Sequence, residues 1–245
     1  MLERYAYIWI KSREIQQLLR DARHGPRIQT ELLLEKLGRN ADTAFGRRHG
    51  FGQIHSVADF RRRVPIADYE YYRPYVERVQ RGELDAMFGR GTRLLMFAMT
   101  SGTTAQSKYI PITQEFFNEY RRGWNLWGVG TYADHTDLVR KKTLKLGSNW
   151  RQKYTEAGIP CGNISGLVAE TAPLVGRSRF VLPPAVTQID HPESKHYTAL
   201  RVSLASPHVG MIGTANPSTL YELALYADRR RESLIRDIFN GTLAD

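Results

Sequence analysis

The stretch Leu94-Leu95-Met96-Phe97-Ala98-Met99-Thr100-Ser101-Gly102-Thr103-Thr104-Ala105-Gln106-Ser107-Lys108-Tyr109-Ile110-Pro111-Ile112-Thr113 changes character at one point. Leu94 to Met99 is an unbroken apolar run, with the length and composition of a buried strand. Thr100, Ser101, Thr103 and Thr104 then place four hydroxyls around Gly102, and Lys108 follows four residues after the last of them. Ile110 to Thr113 reads as a short extended return, and Thr113 is suited to cap a helix beginning at Gln114. A strand, such a loop and then a helix is an arrangement in which backbone amides and hydroxyls donate to phosphate oxygens, with a lysine adding positive charge. A polar surface turn has the same composition, so both readings stay open on composition alone. The Walker A spacing, GxxxxGK[ST], is absent.

Outward from this stretch, 245 residues of which 42% are hydrophobic suffice for one large domain or two small ones with a buried core. No apolar run reaches membrane-spanning length, and MLERYAYIWIKSREIQQLL carries charges where a signal peptide has its apolar centre. No membrane association is expected. Cys161 is the single cysteine, which excludes an internal disulfide framework, disfavours a cysteine-based zinc site and fits a reducing, cytoplasmic setting. The formal net charge is +10. The basic residues form short scattered clusters with acids among them, at Arg47-Arg48, Arg61-Arg62-Arg63, Arg140-Lys141-Lys142 and Arg229-Arg230-Arg231, and no nucleic-acid motif accompanies them. They read as solvated surface rather than a nucleic-acid footprint.

Along the chain, residues 1–24 are expected to form a helix broken at Pro26, and a second helix carries Leu32, Leu33, Leu34 and Leu37 and closes at Gly38. Ser56 is expected to cap a short helix containing Phe60, and Asp68 precedes one with Tyr71, Tyr75 and Val79 four apart. Short extended runs are expected at 142–146, 179–182, 202–204 and 209–212, and one long helix over about 217–239, stopped by Asn240-Gly241. Helices alternating with short apolar runs indicate an α/β fold.

Other constellations are weaker. Gly162-Asn163-Ile164-Ser165-Gly166 has its serine fourth, not central as in a nucleophile elbow, and reads as a turn. His191 and His196 are five apart, which matches no helical metal face. His208 reads as a loop residue, and His49 and His55 lack a partner nearby in sequence. Tyr69, Tyr71, Tyr72 and Tyr75 have the spacing of packing residues more than that of base-stacking ones.

Thr100-Ser101-Gly102-Thr103-Thr104 followed by Lys108 resembles the phosphate-binding motif of the adenylate-forming superfamily, which includes luciferase and the acyl-CoA synthetases. FGRRHGF, DFRRRVPI, the tyrosine-rich helix, RGE, the motif running into KYIPIT, and LIRDIFNGTL near the end together resemble the auxin-responsive Gretchen Hagen family of acyl-acid amido synthetases. The similarity runs from about residue 40 onward and is weaker between 120 and 200. The resemblance implies the N-terminal part of the large domain of an adenylate-forming enzyme, a mixed sheet flanked by helices. It implies a ligase that activates a small carboxylic acid as an acyl-adenylate using ATP and Mg2+ and passes the acyl group to an amino acid. By carry-over, Thr100, Ser101, Gly102, Thr103, Thr104 and Lys108 hold the ATP phosphates. No catalytic residue and no protein-bound metal is assigned, although Arg63 and Arg90 are candidates to assist with phosphates. The segment Gly210–Asn216 aligns roughly with a family segment near the acyl pocket.

Two departures accompany the resemblance. Ala105 stands where the superfamily often has glycine. The family chain is roughly twice as long, and its later adenine-, ribose- and magnesium-linked motifs are not found. Residues 1–245 are therefore expected to be a partial N-terminal, ATP- and acyl-binding domain, inactive alone. An acyl-CoA ligase of the same superfamily and a non-catalytic basic binding module are the alternatives.

Overall fold

The computed structural model describes residues 2–100, 107–172, 178–214 and 216–243. They form a mixed α/β fold in two compact units, one of residues 9–129 with 151–162, the other of residues 1–8, 130–150 and 163–245.

The first unit holds a four-stranded mixed sheet. Its strands are β1 (Leu94–Thr100), β2 (Lys108–Thr113), β4 (Lys153–Tyr154) and β5 (Pro160–Gly162), in the order β2-β1-β5-β4. β1 runs antiparallel to β2 and parallel to β5, and β5 is antiparallel to β4. The apolar run of β1 is explained by its central place: Met96 and Phe97 are fully buried. Pro111 lacks a backbone donor and is tolerated because β2 lies at the edge of this sheet.

Helices α1 (Leu2–Ala22) and α2 (Gly25–Arg39) precede the sheet. Pro26 sits in the first turn of α2, where a missing N–H costs nothing, so it starts the second helix as well as separating it from the first. Gly38 does not close α2, which continues to Arg39. The stop is at Asn40, whose side-chain amide donates to the Lys36 carbonyl at 2.7 Å while its oxygen accepts from Gly89 N–H at 2.9 Å.

Thr43 caps α3 (Ala44–Arg48), accepting from Gly46 N–H at 2.9 Å. Ser56 caps α4 (Val57–Arg63) and Asp68 caps α5 (Tyr69–Gln80), as the sequence leads one to expect. The tyrosines pack: the rings of Tyr71, Tyr72 and Tyr75 lie 6.4, 5.7 and 5.1 Å from that of Phe45. Val76 and Val79 of α5 bury against Phe97 of β1 and Cys161 of β5. Thr113 receives Phe116 N–H at 3.2 Å at the start of α6 (Gln114–Asp134).

In the second unit, β3 (Lys142–Leu144) pairs in parallel with β6 (Val209–Ile212). On its other side Thr143 takes a hydrogen bond from Val181 N–H and donates one to the Arg179 carbonyl, so the expected strand at 179–182 is reduced to a single bridge at Phe180. The Gly162–Gly166 segment is no turn: α7 (Ile164–Glu170) begins inside it, and Gly166 packs so close to Ser148 that a Cβ would overlap the Ser148 carbonyl oxygen. Residues 202–204 belong to α8 (Pro192–Leu204), not to a strand. The expected long final helix is two, α9 (Pro217–Arg229) and α10 (Arg231–Asn240), with Arg230 between them at φ −107°, ψ 14°. The break lets Leu223 and Tyr226 of α9 and Leu234 of α10 join one core with Tyr197 and Leu200 of α8.

Asp237 explains the chemistry of the Asp-Ile-x-x-Gly-Thr-Leu ending. Its carboxylate is buried and accepts from Tyr197 Oη at 2.8 Å and Thr242 Oγ1 at 2.7 Å. Gly241, in the left-handed region at φ 72°, turns the chain so that Thr242 reaches back.

Three outcomes test this architecture. Asp237→Ala removes the carboxylate that accepts from the buried Tyr197 hydroxyl and lowers unfolding free energy by about 2–3 kcal/mol in urea titration, Tyr197→Phe by about 1 kcal/mol. Gly166→Ala destabilises by about 2 kcal/mol or more through the clash with Ser148, whereas Gly128→Ala, in open space within α6, is neutral or stabilising by about 0.5–1 kcal/mol. Burial pushes the Cys161 thiol above its ordinary range. The native protein therefore reacts slowly with a thiol reagent at pH 8 and rapidly once unfolded. The folded state resists forming the thiolate, so this contribution to stability is present below the unfolded thiol's pKa and declines as pH rises beyond it.

Candidate functional site

Burial of β1 carries the chain outward to Thr100, whose Cα partner on β2 is Lys108. The two flanking residues of the hydroxyl-rich segment are thus held at antiparallel strand spacing. Ser101, Gly102, Thr103 and Thr104 lie outside the described residues, as does Ala105. Of the six residues expected to hold phosphate, the structure describes Thr100 and Lys108 and brings them together.

The start of β2 is fixed by a side chain that sequence reasoning assigned only to packing. Tyr69, the first residue of α5, has its hydroxyl 2.9 Å from Tyr109 N and 3.2 Å from Tyr109 O. It accepts from the first and donates to the second, which needs a neutral phenol. Burial pushes the Tyr69 hydroxyl above its ordinary range, so it stays neutral at physiological pH. The one signal in the sequence is Asp68, which sets where α5 begins and hence which tyrosine faces β2.

The Tyr69 ring also carries cations. Lys108 Nζ lies 5.7 Å from its centroid and Arg73 Cζ 5.1 Å. Arg73 is engaged by Glu70 through Nε at 2.6 Å and Nη2 at 2.7 Å, and that pairing holds the Glu70 carboxyl below its usual range. Lys108 makes no ion pair among the described residues. An ammonium oriented by an aromatic face, within the electrostatic reach of Glu70 but in no direct ion pair with it, thus stands at the edge of the hydroxyl-rich segment.

The remaining candidates fall elsewhere. Arg63 places Nη1 beside Gly50, which holds φ 62°, and among the described residues no hydrogen bond joins Arg63 or Arg90 to Thr100 or Lys108. His49 is buried. Its Nδ1 lies 2.8 Å from the Phe45 carbonyl and so donates, leaving Nε2 to accept from Tyr71 Oη at 2.7 Å, which makes it a satisfied core histidine. His191 caps α8. No grouping of three or more His, Cys, Asp or Glu that could hold a metal occurs among the described residues. In the second unit, Gly210–Thr214 leads from β6 into a shallow apolar depression bounded by Leu144, Leu146, Ile212 and Leu220. No helix among the described residues is long and apolar enough to cross a membrane.

The chain is similar to known proteins along most of its length. Indole-3-acetic acid-amido synthetase GH3.15 of Arabidopsis thaliana is 27% identical over 225 residues, covering 89% of this chain and 37% of the relative. Jasmonoyl--L-amino acid synthetase JAR4 of Nicotiana attenuata is 27% identical over 160 residues, covering 65% of this chain and 27% of the relative. The solved structure of GH3.15 acyl acid amido synthetase superposes with a TM-score of 0.77 at 24% identity, over 90% of this chain and 39% of that one, and shares its fold. The chain therefore spans less than half the length of these relatives. The description "GH3 family N-terminal domain" matches residues 14–245, reaching further toward the N-terminus than the first motif, FGRRHGF, and the chain belongs to the GH3 family.

Proposed function

We propose that this chain is the nucleotide- and acid-binding part of an ATP-dependent acyl-acid amido synthetase. The observation that carries the proposal is the pairing of Thr100 with Lys108 across β1 and β2, with the Lys108 ammonium held over Tyr69 and in no ion pair among the described residues. The names of the relatives, amido synthetases for indole-3-acetic acid and jasmonate, support the same reaction class.

In the first step, a carboxylate oxygen of the acid attacks the α-phosphorus of ATP, forming the mixed anhydride of the acyl-adenylate as the α–β phosphoanhydride bond breaks and pyrophosphate leaves. In the second, an amino acid's amine attacks the acyl carbon, the amide forms and AMP departs. This chain's residues serve the first step. Negative charge grows on the phosphate oxygens, and fixed donors stabilise it without reorganising. The hydroxyls and amides of Thr100 to Thr104 supply neutral donors and Lys108 a full positive charge. Tyr69 acts as a positioning residue, since it fixes the backbone next to Lys108. Magnesium enters this reading with the triphosphate, whose oxygens a hard cation favours. The substrates are small molecules, a carboxylic acid and an amino acid, in a cytoplasmic setting consistent with the single reduced Cys161.

Carboxylate-dependent ATP–pyrophosphate exchange by the complete product of the gene tests this reading. Lys108→Ala and Thr103→Ala each lower exchange by about 10²–10³-fold with little change in melting temperature, the cost of removing one preorganised donor. Tyr69→Phe lowers it by about three- to tenfold, in keeping with the loss of about one hydrogen bond. Normal exchange in both the Lys108 and Thr103 variants overturns the assignment.

A further inference from the structure

We propose that Arg179 binds a carboxylate, the Nε and Nη2 edge of its guanidinium gripping both oxygens. The inference rests on the adenylation reading above, which calls for two small molecules that each bear a carboxylate, the acid and the amino acid. It extends that reading to a residue outside every motif on which the family resemblance rests.

Arg179, Tyr132 and Thr143 all lie in the second unit. Tyr132 is in the last turn of α6, and Thr143 is the middle residue of β3. Thr143 N–H donates to the Arg179 carbonyl at 2.7 Å, which fixes the Arg179 backbone beside the strand. The Arg179 side chain meets the Tyr132 ring, with Cζ 3.8 Å from the centroid. The hydroxyl of that ring lies 3.3 Å from Thr143 Oγ1, and both Tyr132 and Thr143 are buried. One backbone bond and one ring contact thus position the guanidinium.

Nε and Nη2 of Arg179 are both buried, and among the described residues neither has a hydrogen-bond partner. An arginine that serves only to cover a ring keeps its N–H groups in water. A buried charged donor without an acceptor is destabilising, and an acceptor of opposite charge offsets that cost. These two nitrogens share one edge of the guanidinium, the edge whose parallel N–H groups match the two oxygens of a carboxylate. Arg73 makes that pairing within this chain: its Nε and Nη2 donate to the two carboxylate oxygens of Glu70 at 2.6 and 2.7 Å. One carboxylate cancels one guanidinium charge, whereas a doubly charged phosphate would leave a buried excess. With both nitrogens covered, entry of the ligand requires the Arg179 side chain to change rotamer.

Substrate KM values of the complete product of the gene test the assignment in Arg179→Met and Arg179→Lys. Arg179→Met keeps a long stem against Tyr132 and removes the charge, so its urea midpoint is expected at or above that of the wild type. It is expected to raise the KM for one carboxylate substrate about ten- to hundredfold, the size of a lost two-point charge-assisted contact, with the KM for ATP at its wild-type value. A raised KM for the acid in pyrophosphate exchange assigns the acid's carboxylate, and a raised KM for the amino acid in amide formation assigns the amino acid's. Arg179→Lys restores the charge without the fork and recovers little of the loss. Wild-type KM values for both substrates in Arg179→Met overturn the inference and leave the adenylation reading standing. Absence of exchange in the wild type overturns the adenylation reading instead, and nitrogen NMR spectra of the 245-residue chain then decide on Arg179. A shift of its Nε–H resonance by millimolar sodium benzoate or alanine, beyond that caused by sodium chloride, sustains the carboxylate site, and the absence of such a shift overturns it.

Discussion

The contact on which the first unit depends is the parallel pairing of β1 with β5 at Phe97 and Cys161. Both side chains are buried, and Val76 and Val79 of α5 close over them. Burying a side chain the size of phenylalanine contributes about 1.5–3 kcal/mol, and no loop could hold this position without such an anchor. With Phe97 fixed, the strand direction fixes Thr100, the antiparallel register fixes Lys108, and the same layer of α5 brings Tyr69 to Tyr109. The chemistry at the edge of the sheet is thus set by apolar packing at its centre.

Much of this was legible in the sequence because several local signals agreed. An unbroken apolar run marked β1, a glycine among hydroxyls marked its end, and Ser56, Asp68 and Thr113 marked helix starts that the structure bears out. Signals that depend on remote partners were less legible. Gly38 is a plausible terminator by type, yet the helix ends at Asn40 because Gly89, far along the chain, accepts no side chain and donates to Asn40 instead. Residues 202–204 have a strand's composition but lie on the last turn of α8, since their periodicity is set by Tyr197 and Leu200 upstream. The division of the final helix at Arg230 carries no glycine or proline to announce it and follows from the need to turn two faces toward one core.

The site divides along the same line. Lys108 and Thr100 stood out by type and spacing, and family resemblance gave them a role. Tyr69 did not stand out, because a tyrosine in a tyrosine-rich helix is unremarkable one residue at a time. Only the hydrogen bonds between its hydroxyl and the backbone of Tyr109 set it apart. The histidines show the converse. His49 and His191 invite chemical interpretation by type, and each proves to be satisfied by backbone or helix-capping bonds.

The register that pairs Thr100 with Lys108 separates the framework from the segment it presents. The strands gain their stability from positions inward of that pair, so substitutions or changes of length between residues 100 and 108 leave the sheet's own pairing untouched. The sequence between the two strands can then vary without rebuilding the scaffold. Ala105, placed where related loops often carry glycine, is a substitution of the kind such a division of labour tolerates.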